Sequence, residues 1–137
     1  MKNLKLLITV ISLIMFSHSS IYGQGSTNQP SDGYSLQIPT ELKATEAELN
    51  VHELISVSHY DQNLNGYVYI KGIINSNKEA KLYSVQTPKR PVSYQRSPGC
   101  TGGNYNACAR DCTKRSNTYG IILCTGYCFI DCIIFEE

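Results

Sequence analysis

The sequence predicts a small disulfide-rich fold. A C-terminal disulfide-stapled helical hairpin, with a strand as the alternative for its second element, follows a small three-stranded antiparallel β-meander. Three observations carry this expectation. All six cysteines fall in the last thirty-eight of 137 residues, at Cys100, Cys108, Cys112, Cys124, Cys128 and Cys132. The chain opens with the features of an export signal, and an even, tightly spaced set of cysteines behind such a signal reads as a disulfide framework rather than as catalytic thiols. Between the two lie three runs rich in Val, Ile and Tyr, separated by turn-forming residues.

Residues 1–25 read as a signal peptide. Lys2 and Lys5 precede an apolar run, Leu6–Phe16, and the polar stretch SHSSIYGQG then offers Gly23 or Gly25 for cleavage. A membrane anchor needs about 20 apolar residues, roughly twice this run. The expected product is a soluble, extracellular protein with no stable membrane insertion. Residues 26–50 are polar and expected to be largely disordered, although ELKATEAELN (41–50) can form a short amphipathic helix or stay extended.

Residues 51–88 form a β-rich segment or a pro-region. Its strands are expected at His52–Tyr60, Tyr67–Ile74 and Lys81–Val85, with DQNLNG and NSNKEA as the turns. Such a sheet is marginal alone, so it either packs on the cysteine-rich tail or belongs to a pro-segment. From Gln24 to Pro88 four lysines face seven acids, whereas from Lys89 onward six basic residues face four acids. The Pro- and basic-rich stretch 89–99 marks a linker between these parts. Within it, Lys89-Arg90 is a dibasic pair of the kind that processing proteases cut, although Pro91 disfavours cutting and two solvated charges are the commoner meaning of such a pair.

The cysteine-rich domain is residues 100–137. Asn104 or Asn106 can cap a helix in which Cys108 and Cys112 lie one turn apart on one face. Cys124, Cys128 and Cys132 follow at intervals of four, which place them on one face of a helix and equally on one face of a strand. The β-branched residues of IILCTGYCFIDCIIF and its internal Gly126 favour a strand, and the match to the Cys108–Cys112 spacing favours a helix. With two helices, nested pairing follows: Cys100–Cys132, Cys108–Cys128 and Cys112–Cys124. Six cysteines allow 15 pairings in all.

Little in the sequence suggests catalysis. It has no serine-nucleophile motif, no phosphate loop and no zinc-type C-x-x-C pair, so the expectation is a non-enzyme without cofactor or metal. His52 and His59, at an odd spacing in an alternating strand, would face opposite ways and read as surface residues. The ten tyrosines lack the basic groove of a nucleic-acid platform.

The pattern C-x-x-x-C, eleven residues, C-x-x-x-C resembles the α-hairpinins. With the further C-x-x-x-C step it also resembles plant thionin-like and pollen-type small secreted cysteine-rich proteins. The resemblance covers residues 100–134, and it departs at Asn104, which stands where a cysteine is expected, with Cys100 four residues upstream. It implies two helices joined by nested disulfides and a role in defence, antimicrobial or inhibitory. Membrane lysis needs a cationic amphipathic surface, which this near-neutral tail lacks. An extracellular signalling ligand for a cell-surface receptor is the alternative, and an unprocessed extracellular binding module is a third reading. Oligomeric state is left open. Arg110, Lys114, Arg115, Tyr127 and Phe129 are the candidate partner-binding residues. The apolar side chains of the tail must be covered by the meander, a partner or a second copy.

Overall fold

Alternating β-branched and aromatic residues build an antiparallel sheet, and the cysteine-rich helices cover one of its faces. The structure is a computed structural model that describes residues 33–96, 98–100 and 104–136. The signal-peptide expectation, with residues 26–32, lies outside the described residues. Among the described residues there are four strands, β1 (Tyr34–Ser35), β2 (Ile55–Asp61), β3 (Gly66–Ile74) and β4 (Ala80–Thr87), in the spatial order β1-β4-β3-β2.

The sheet is therefore four-stranded, not three-stranded. The added strand comes from the segment expected to be disordered. Tyr34 pairs with Thr87 and Ser35 with Gln86. The chain then continues along the same edge of β4: the Leu36 amide donates to Val85 O, the Ala44 amide to Leu82 O, and the Leu82 amide back to Leu42 O. These bonds satisfy an edge that would otherwise be an unpaired row of donors and acceptors.

Between β1 and β2, helix α1 (Glu46–Val51) is started by a capping box: the Thr45 hydroxyl accepts from the Glu48 amide, and the Glu48 carboxylate accepts from the Thr45 amide. His52 caps the end of this helix and is not in a strand, so the alternating-strand argument does not apply to the His52–His59 pair. The two hairpin turns lie where the Asn-rich stretches predict. Asp61 Oδ1 accepts from the amides of Asn63 and Leu64 in the first, and Asn75 Oδ1 from those of Asn77 and Glu79 in the second. Asn65 and Lys78 take positive φ there, 52° and 63°.

The tail is helical in both halves. Helix α2 (Tyr105–Cys112) starts at Asn104, whose Oδ1 accepts from the Ala107 amide at 3.0 Å. Helix α3 (Thr118–Phe129) starts at Asn117, whose Oδ1 accepts from the Gly120 amide at 2.6 Å. It continues as a π-helical turn over Ile130–Ile134, closed by the Phe135 amide on Ile130 O. The strand alternative for the second element is thus overturned, because caps, packing and crosslinks outweigh the β-branched propensity of this segment.

One hydrophobic core joins sheet and tail. Val57, Val68, Ile70, Leu82 and Val85 from the strands meet Ile122, Phe129, Ile130 and Phe135 from the helical segment. Burying each large apolar side chain contributes about 1.5–3 kcal/mol, so this shared layer holds the helical segment against the sheet. At the closest approach, a Cβ on Gly126 of α3 would lie 2.2 Å from Ile70 Cδ1. Only glycine lets this helix sit so near the sheet.

Candidate functional site

Two disulfides cross the seam between α2 and α3, and a third ties Cys100 to the π-helical turn that extends α3. They link Cys100–Cys132, Cys108–Cys128 and Cys112–Cys124, with Cα atoms 5.1, 5.7 and 5.5 Å apart, which are the pairs of the nested arrangement. The 3-10 turn Pro98–Cys100 delivers the first cysteine, α2 the next two, and α3 with its π-helical extension the last three. The bridges are stacked. Cys112 Sγ lies 3.5 Å from Cys128 Sγ, and Cys100 Sγ lies 4.0 Å from Cys108 Sγ.

Two sets of three sulfurs, Cys100/Cys108/Cys132 and Cys112/Cys124/Cys128, each fall within 4.8 Å. Such spacing would suit a metal only if the sulfurs were thiolates. Every one of them is in a disulfide. The chemistry open to this cluster is thiol–disulfide exchange.

Elsewhere between sheet, linker and helical segment, two tyrosines bond two carboxylates. Tyr94 donates to the fully buried Asp131 at 2.5 Å, and Tyr127 donates to Asp61 Oδ2 at 2.6 Å. Burial, with Asp131 beside the hydroxyl, pushes the Tyr94 phenol well above the ordinary range. Burial and Asp61 do the same to Tyr127. For Tyr105, burial alone raises the phenol to about 12. All three are held in their neutral form, and Tyr94 and Tyr127 donate from it to join parts of the fold.

The segment expected to be a linker is docked. Tyr94 is buried, the Arg90 guanidinium lies 5.1 Å from the centre of the Phe135 ring, and Arg90 and Arg96 both donate to Phe135 O. Cations at the carboxyl end of a helical segment complement its unsatisfied carbonyls. Lys89 remains exposed.

The candidate partner-binding residues separate into two groups. Arg110 and Arg115 are exposed, and the exposed Lys114 pairs with Asp111 at 2.7 Å. Arg110 also lines a groove of about 520 Å³ with Tyr105, Asn106, Glu41, Glu79 and Lys81. Phe129, by contrast, is fully buried and cannot meet a partner. Tyr127 is half-buried and spends its hydroxyl on Asp61.

His59 is exposed on β2, its ring edge-on to Tyr127 at 6.0 Å. The tyrosine–carboxylate pairs escaped the sequence reading because Asp61 and Asp131 carry no local pattern that marks them as buried. Among the described residues, no helix is long and apolar enough to cross a membrane. Comparison with protein-family models, with curated proteins and with solved structures finds no match to the chain.

Proposed function

We propose that this chain is a secreted, non-enzymatic cysteine-rich protein that acts in defence, as an inhibitory ligand for a protein on a target-cell surface. It works as one intact unit. The observation that carries this reading is the core shared by the sheet and the cysteine-stapled segment. Cutting the chain at Lys89-Arg90 and separating the products would expose Ile122, Phe129, Ile130 and Phe135 together, an apolar patch unsuited to a free soluble peptide. In this reading α2 and α3 form a disulfide-stapled helical hairpin. Its exposed edge, with Arg110 and Arg115, is the recognition surface, and the resemblance of residues 100–134 to the α-hairpinins supports the defence role.

A second reading, a signalling ligand for a cell-surface receptor, is favoured by one observation: the dibasic pair stands in the chain segment between β4 and α2, with Lys89 exposed. Mass spectrometry of the secreted product, with a growth-inhibition assay on the same material, separates the two. The defence reading expects a chain beginning near Gln24 that retains residues 91–137 and slows target-cell growth. A free fragment beginning near Pro91, inactive in that assay but binding a receptor, overturns it.

A further inference from the structure

We propose that Cys124 is a thiol-reactive modification site through which small-molecule thiols enter the disulfide stack, and that the stack passes the break inward. Five of the six cysteines are buried. Cys124 is half-buried, which makes it the residue of the six that an incoming thiolate approaches most readily. Exchange requires direct approach of a thiolate to a disulfide sulfur, and access selects which sulfur is attacked.

The steps balance without any oxidant or reductant beyond the entering thiol. The thiolate of a molecule such as glutathione attacks Cys124 Sγ, forms a mixed disulfide there and expels Cys112 as a thiolate. Cys112 Sγ lies 3.5 Å from Cys128 Sγ, near van der Waals contact for two sulfurs. Its attack there forms Cys112–Cys128 and expels Cys108. Cys108 Sγ in turn lies 4.0 Å from Cys100 Sγ. A second attack forms Cys100–Cys108 and releases Cys132, which takes up a proton. Each transfer breaks one S–S bond and makes one, and the free thiol travels from α2 to the π-helical turn.

The consequence is a redox-sensitive rearrangement. In the native pairing two bridges cross between α2 and α3 and a third ties Cys100 to the π-helical turn. After the relay a single bridge, Cys112–Cys128, joins the two helices, and Cys132 is no longer tethered to Cys100. The proposal rests on the sulfur geometry and is independent of the defence reading.

The test treats the folded, full-length protein with glutathione, quenches with N-ethylmaleimide, and maps the cysteines. Trypsin separates Cys108 from Cys112 after Arg110, and chymotrypsin separates Cys124, Cys128 and Cys132 after Tyr127 and Phe129. Glutathione is expected on Cys124, with maleimide on Cys108 or Cys132 and the new linkages Cys112–Cys128 or Cys100–Cys108. In a Cys112→Ser, Cys124→Ser double variant, glutathione incorporation is expected to fall at least about tenfold, because the remaining sulfurs are shielded. Three outcomes overturn the proposal: no adduct at all, adducts on the buried cysteines as readily as on Cys124, or maleimide confined to Cys112 with the other two native bridges intact. The wild-type map decides among these even if the double variant fails to fold.

Discussion

Tyr127 on α3 donates a 2.6 Å hydrogen bond to Asp61 at the end of β2, sixty-six residues away in sequence. The other oxygen of the same carboxylate accepts two amides of the β2–β3 turn. One buried side chain therefore organises a hairpin and ties the cysteine-stapled segment to it. Tyr127→Phe removes the tie and leaves Asp61 Oδ2 without its donor. The expected cost is about 1.5–3 kcal/mol, the range for a hydrogen bond to a charged group. Denaturant unfolding should show a lower midpoint with an unchanged slope.

Gly126→Ala tests the contact between helix and sheet. The added Cβ would lie 2.2 Å from Ile70 Cδ1 and 2.8 Å from Ile70 Cγ1, and Ile70 is fully buried. Although alanine favours a helix by about 1 kcal/mol over glycine, overpacking of this kind costs about 1–3 kcal/mol. The sterics should win, and thermal unfolding should move to lower temperature. An increase in stability would mean that α3 does not sit this close to β3.

Lys78 offers the opposite sign. It holds φ at 63° in the β3–β4 turn, a left-handed conformation that costs a side-chain-bearing residue about 1–2 kcal/mol. Lys78→Gly relieves that strain and keeps the amide that donates to Asn75 O. The variant is expected to gain stability, less the entropy that glycine adds to the unfolded chain.

Buried Tyr94 and half-buried Tyr105 and Tyr127 predict an alkaline limit. Burial raises Tyr105 to about 12 and pushes Tyr94 and Tyr127 upward as well, whereas an unfolded tyrosine ionises near about 10. Above that point the unfolded chain binds fewer protons than the folded one, so stability falls as pH rises. The contribution is fully present below about pH 10 and is lost through the folded-state values. Phenolate absorbance followed alongside circular dichroism should show a late group of tyrosines ionising together with loss of structure.

Much of this arrangement can be read from particular residues. The four-residue spacing of Cys108 and Cys112 and the capping Asn104 mark α2. The Asn- and Gly-bearing turns mark both hairpins, because turn chemistry is local. Strand β1 has no such mark: two residues carry no periodicity, and their pairing with Thr87 and Gln86 is made entirely by distant chain. Helix α3 runs against its own β-branched composition, so its state is decided by Asn117, by the sheet beneath it and by the disulfides. The sequence leaves 41–50 helical or extended, and the capping box of Thr45 and Glu48 decides for the helix. Phe129 reads as an exposed contact only until the sheet is placed under it, because burial is a tertiary property.

Sheet and cysteine-stapled segment form one cooperative unit in this account, and native-state hydrogen exchange with the disulfides intact reports on that cooperativity. The amides of β3 and those of α3 are expected to open with the same free energy and to lose protection at the same denaturant concentration. If α3 stays protected while β3 opens at a free energy lower by more than about 2 kcal/mol, the two parts are separate units, and the intact-unit account is wrong.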